Sequence, residues 1–275
     1  MQHQFSLAHL TILGCTPPEV AYIAARAGYD FVGLRLIPMG VDGEAVCLPL
    51  EKQMLRKTKA ALDETGIKLL DIELARILAG QDAKTYAPAM EAAAELGARH
   101  VIASAWTTDR SDRDFIVESY AEICDLARPF DLTVDLEFPT FSRLTDLRET
   151  VDIVRAANRD NVGILIDTLY LHFAGVQLDE LAALPPAWFH FLHISDTVKE
   201  IPTTREGMIR IARGERLYVG EGCIDFTSIL NQLPGVPLSI ESPNTLRVKE
   251  LGYEEHARRC LVTARQYLDN RPDIR

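Results

Sequence analysis

Short apolar, β-branched runs alternate along this chain with longer stretches whose apolar residues recur at helical spacing. Eight runs read as strands: FSLAHLTI (5–12), DFVGLRLI (30–37), IKLLDIEL (67–74), RHVIAS (99–104), LTVDLE (132–137), VGILID (162–167), WFHFLHI (188–194) and VPLSIE (236–241). Helical patterns fill the intervals. PPEVAYIAARAG opens on prolines and closes at Gly28, while DAKTYAPAMEAAAELGA stops near Gly97, with Pro88 implying a kink or a later start. The GEG at 220–222 reads as a turn into a helix capped by Asp225.

This repeated order predicts an α/β fold. A closed (β/α)8 TIM barrel of roughly 250 residues fits the 275 available. The open doubly wound alternative would place a glycine-rich phosphate turn after its first strand, and ILGCTPPEV contains none. No Pro/Gly/Ser-rich linker divides the chain, so residues 1–275 are expected to form one barrel domain.

Composition narrows the partners. With 40 acidic against 29 basic residues the formal charge is −11, which repels a phosphodiester backbone and argues against nucleic acid. Cys15, Cys47, Cys124, Cys223 and Cys260 include no CxxC pair and suggest no disulfide framework, as expected of a cytoplasmic protein. Neither a signal-peptide pattern nor a membrane-length apolar run is present in the sequence, so no membrane partner is expected. The expected partner is a small molecule.

Four strand candidates end in a residue able to ligate a metal: Glu137, Asp167, His193 and Glu241. Alternate residues of a barrel strand point inward, and barrel active sites lie at the strands' C-terminal ends. If Glu137 points inward, so do Asp135 and Thr133, leaving Val134 and Leu136 outside. Likewise Asp167 groups with Leu165 and Gly163, His193 with Phe191 and Phe189, and Glu241 with Ser239 and Pro237. The outward residues of all four strands are then aliphatic, and the four polar ends converge on one rim.

Two carboxylates about 4 Å apart repel by roughly 4 kcal/mol at an effective dielectric near 20. Three need a counter-charge, which one divalent ion (Mn²⁺, Mg²⁺, Co²⁺, Fe²⁺ or Zn²⁺) would supply. Taken singly, Asp167 could instead cap the following helix, and Glu241 could pair with a loop arginine.

At these residues, and from AARAGYDFVGLRL to the C-terminal helix, the chain resembles the xylose-isomerase-like TIM-barrel superfamily of sugar isomerases and epimerases, inosose enzymes, dehydratases and endonuclease IV. The resemblance implies the same ligand set, Glu137, Asp167, His193 and Glu241. It also implies that a basic residue ahead of the GEG turn, Arg213 or Arg216, faces substrate. Tyr170 stands where many relatives carry histidine, with His172 two positions later.

The expected function is a metal-dependent isomerase or epimerase of a keto-sugar or related polyol. In that chemistry Glu137 and Glu241 move a proton through an enediolate. The alternatives are a dehydratase of a cyclic keto-polyol such as 3-dehydroshikimate or an inosose, with Tyr170, His172 or Arg216 as proton donor, and a non-catalytic metabolite-binding protein. Glu73, Arg76 and Trp106 near the rim are further substrate-contact candidates, as are His9 and Arg35. The long segment at 197–222 reads equally as a lid, an extra surface helix or a contact in a homo-oligomer.

Overall fold

The computed structural model describes residues 3–37, 39, 51–108 and 112–270; Cys47 lies outside them. Eight strands close in sequence order into a barrel: β1 (Phe5–Leu7), β2 (Phe31–Arg35), β3 (Lys68–Ile77), β4 (His100–Ala105), β5 (Thr133–Glu137), β6 (Val162–Asp167), β7 (Leu192–Ile194) and β8 (Leu238–Ile240). Every neighbouring pair is parallel, including β1 with β8. All eight sequence runs hold a strand. The first is shorter than its run, because the chain turns into a 3-10 helix at His9–Ile12.

The helices start and stop where local chemistry dictates. Thr16 and Glu19 form a capping box at the start of Pro17–Ala27, a feature worth about 1 kcal/mol, and Gly28 ends the helix at φ 92°. Pro88 enforces a later start rather than a kink: Ala83–Tyr86 is a 3-10 turn, and the α-helix Ala87–Glu95 carries the proline in its first turn. Asp225 caps Phe226–Gln232 by accepting the Ser228 N–H at 3.1 Å.

The core has two compartments. Val134, Leu136, Ile164, Ile166, Leu192, Ile194, Leu238 and Ile240 join the large cluster between sheet and helices. Leu70, Leu74, Ile102, Leu165 and Phe191 fill the barrel's interior. This is the inward/outward division that the alternation predicts, with one correction. Phe189 packs in the outer cluster. The regular strand begins only at Leu192, after a 3-10 turn at Pro186–Trp188, so alternation does not extend back to residue 189. Among the described residues, no helix is long and apolar enough to cross a membrane.

Candidate metal centre and substrate cavity

Barrel stagger brings the strand ends to one depth. β5 and β6 pair Glu137 with Leu165, so Asp167 extends two residues further and lies beside His193. Glu241 follows β8, where its N–H is held by the Ile194 carbonyl at 3.1 Å. Glu137, Asp167 and His193 each place a ligand atom within 4.8 Å of the other two. His193 Nδ1 lies 3.5 Å from Glu241 Oε1 and 3.8 Å from Glu137 Oε1. Both distances exceed those of a well-formed hydrogen bond, and neither ring nitrogen of this 1%-exposed imidazole has a hydrogen-bond partner among the described residues.

Arg216 lies beneath the acids. This fully buried guanidinium reaches Asp167 Oδ2 and Glu241 Oε2 at 2.7 Å each, and it donates to Ser195 Oγ and the Ala212 carbonyl. Its backbone is equally fixed, donating its N–H to Pro243 O and accepting from the Asn244 side chain. The two bland readings are therefore true alongside convergence. Asp167 accepts the Leu169 N–H at 2.8 Å as a helix cap, and Glu241 pairs with an arginine.

Crowded charge sets the proton affinities. Burial, reinforced by Glu241, raises Glu137 well above the usual carboxylate range, and burial also raises Asp167 against the pull of Arg216. Glu241 is held down at about 2, because His193 and Arg216 override its own desolvation. Burial alone would lower His193, but the charges of Glu241, Glu137 and Asp167 hold it up at about 10. Three carboxylates around an imidazole with two open nitrogens suit a divalent cation.

Above the acids opens a cavity of about 710 Å³, its mouth included, with Glu137, His193 and Glu241 exposed to it. Of the predicted contact residues, Glu73, Trp106, Tyr170 and Arg213 line it. Arg216 does not, being packed below the acids. His172 does not line it either, and its Nε2 lies 3.7 Å from Cys223 Sγ. Two residues along a helix turn the side chain by about 200°, so Tyr170 and His172 of Thr168–Ala174 face opposite ways. Arg76 lies past an irregularity in the β3–β4 register and is absent from the cavity wall.

His9 is occupied structurally, its Nε2 against the Cys15 carbonyl and its Nδ1 accepting the Arg35 N–H. Arg35, also a predicted contact, is a buried residue of the cavity wall, paired with Glu73 at 3.0 Å. Phe141, in the loop after β5, also lines the cavity, and nothing in its sequence position signals this.

The segment at 197–222 contains the helix Arg205–Gly214 and returns to the barrel through paired bonds between Asp196 and Leu217. The Asp196 carboxylate collects the N–H groups of Thr197, Gly220, Gly222 and Ile224, fixing the GEG turn. A side chain at Gly222 would collide with Thr197 O and that carboxylate.

Comparison with known proteins agrees with this architecture. Inosose isomerases of Bacillus licheniformis and Bacillus velezensis are 29% identical over 157 residues and 30% identical over 151. The matches cover 54% and 52% of this chain and the same shares of those proteins, so the chain spans about half the length of the curated relatives it matches. The crystal structure of the IolI protein with a binding zinc atom superposes with a TM-score of 0.80 at 20% identity, covering 98% of this chain and 100% of that one. D-allulose 3-epimerase from Methylomonas sp., in complex with D-allulose, gives 0.70 at 18% identity, covering 96% and 97%. A family profile described as xylose isomerase-like TIM barrel matches residues 21–262. The chain belongs to that xylose isomerase-like TIM barrel family.

Proposed function

We propose that the protein is a divalent-metal-dependent isomerase or epimerase acting on a keto-sugar or related polyol, with Glu137, Asp167, His193 and Glu241 as metal ligands. The observation that carries this reading is His193, a buried imidazole with two unpartnered nitrogens among three carboxylates. An imidazole so enclosed without hydrogen bonds is costly unless an ion displaces its proton and takes the lone pair. The inosose isomerase and D-allulose epimerase relatives support a polyol substrate, and the zinc-binding IolI structure supports a metal.

When bound, the ion would polarise a keto oxygen and its neighbouring hydroxyl. The chain's residues then divide the work. Glu137 and Glu241 stand on the fifth and eighth staves, separated by those of Asp167 and His193, and so flank a substrate from two sides. One removes the proton next to the carbonyl. Return of a proton from the opposite carboxylate inverts that carbon, while return at the former carbonyl carbon isomerises the sugar. Arg216 holds Asp167 and Glu241 in place, and the Trp106 and Phe141 rings wall the cavity against water.

A second reading, dehydration of a cyclic keto-polyol, is favoured by Tyr170. Burial keeps this wall residue's hydroxyl protonated, available to a leaving hydroxide. One assay separates the two: exchange of substrate hydrogen with deuterated solvent, without a new ultraviolet chromophore, supports isomerisation, and loss of water supports the lyase. If neither occurs with ketoses, inososes or dehydroshikimate in the metal-loaded protein, both readings fall.

A further inference from the structure

The arginines of this acid-rich chain are mostly paired, even on the surface: Arg26 with Glu254, Arg113 with Asp152, Arg148 with Glu180, Arg159 with Asp125. Around the cavity mouth the pattern breaks. Arg213, in the last turn of Arg205–Gly214, lines the cavity and has no carboxylate partner among the described residues; its guanidinium carbon lies 6.0 Å from the Phe141 ring centre. Arg205, at the other end of that helix, donates to the Phe141 carbonyl at 3.0 Å and likewise has no carboxylate partner among the described residues.

Phe141 and Trp106 line both the cavity and an adjoining open cleft, which Arg205 also lines. The two arginines therefore bracket the passage between these spaces. The other charged groups facing Arg213 do not relieve it. Partial desolvation, joined by the charges of Arg35, Arg205 and Arg76 and opposed by Tyr170, holds its pKa below the usual guanidinium value. Among the described residues, the one acid in the cavity wall outside the proposed ligand set, Glu73, is engaged with Arg35.

Helix stability accounts for only one of the pair, since the dipole favours a cation in the last turn, where Arg213 stands. A cation in a helix's first turn opposes the macrodipole, so Arg205 is unfavourable where it stands. Cations gathered without acids are stabilised by an oxyanion, which guanidinium recognises through charge-assisted, often two-point, hydrogen bonds.

We infer that the substrate carries an anionic group, a carboxylate or a phosphate, bound by Arg213 and Arg205 beyond Phe141, while its keto-polyol end faces Glu137, His193 and Glu241. This rests on the proposed function for the reacting end alone; the oxyanion subsite stands on the arginines. It sets the chain apart from an enzyme selecting an uncharged polyol.

The test is calorimetric binding to the metal-loaded protein of two matched pairs, the methyl ester of 3-dehydroshikimate against 3-dehydroshikimate and D-fructose against D-fructose 6-phosphate. Inorganic phosphate is titrated separately into metal-free protein, so that a bound ion cannot hold it. Each is measured on the wild type, on Arg213→Gln and on Arg205→Gln/Arg213→Gln, with folding checked by circular dichroism and charge restored in Arg213→Lys. A charge-assisted contact predicts that one anionic ligand binds about tenfold more tightly than its neutral counterpart. That ratio should collapse in the double variant and recover partly in Arg213→Lys, and the pair that shows it identifies carboxylate or phosphate. Equal affinity within both pairs, or a ratio that survives the double variant, overturns the subsite and leaves the proposed function standing. If no keto-polyol binds but phosphate does, and loses affinity in the double variant, the proposed function falls and the subsite stands. Binding of no probe sinks both.

Discussion

Two clusters of histidine and carboxylate occupy opposite ends of this barrel, and they differ in what they lack. At the C-terminal rim, His193 stands among Glu137, Asp167 and Glu241 with both ring nitrogens unsatisfied. Near the N-terminal floor, His100, Asp135 and His190 have comparable ligand spacing, yet each is engaged. His190 Nδ1 lies 2.7 Å from Asp135 Oδ1, Thr133 donates to Asp135 Oδ2 at 3.0 Å, and His100 Nδ1 meets the Thr133 hydroxyl at 2.7 Å. The imidazoles stack at 5.0 Å between centroids. Gly163 makes room for this set, since any side chain there would strike Asp135 and His190. Ligand spacing alone therefore does not tell the two clusters apart; hydrogen-bond satisfaction does.

The comparison can be broken most forcefully through chemistry. Glu137→Gln and Glu241→Gln should each lower solvent-deuterium incorporation into substrate by about 10³-fold, as expected for loss of a positioned base. Asp135→Asn should leave it near the wild-type rate, and equal losses at both ends would erase the distinction. Metal content sharpens it further. Elemental analysis should find about one divalent ion per chain, lost in His193→Asn and retained in His100→Asn and His190→Asn.

The floor should show itself in stability instead. Asp135→Asn disturbs a buried charged network and should cost about 3 kcal/mol in denaturant unfolding, with metal content unchanged. A smaller effect concerns pH. Burial lowers His100 from 6.5 to about 4, so the unfolded chain binds the extra proton between those values. Its contribution is fully present above pH 6.5 and is lost as pH falls toward 4, by at most about 3 kcal/mol. His190, raised by its Asp135 hydrogen bond against the effect of burial, acts in the opposite window and loses its contribution as pH rises above 6.5. Unfolding midpoints from about pH 4 to about pH 9 for wild type and His100→Gln should separate these, and an unchanged slope below pH 6.5 would remove His100 from the account.

What could be read in advance followed from regular backbone. β5, β6 and β8 repeat with period two up to their polar ends, so Glu137, Asp167 and Glu241 could be placed by alternation alone. His190 could not, because it precedes the regular part of its strand, and the floor cluster went unforeseen with it. Arg216 is a substrate-contact candidate from its sequence position, but its destination depends on a helix folding back, on the bonds between Leu217 and Asp196, and on its own bonds to Pro243 and Asn244. Phe141 is hidden similarly, since a loop aromatic carries no periodic signal of where it points.

The buried Arg216 has a consequence for which ion the rim would accept. Once a metal displaces the proton of His193 and ionises its acids, three carboxylates, one guanidinium and a neutral imidazole would sum to −2 in a largely buried site. A dication brings that enclosure to electroneutrality, whereas sodium or potassium would leave it anionic and a lanthanide would leave it cationic, each against the cost of stranding net charge in a poorly polarisable medium. Valence, ahead of ionic radius, would then be the first filter on occupancy.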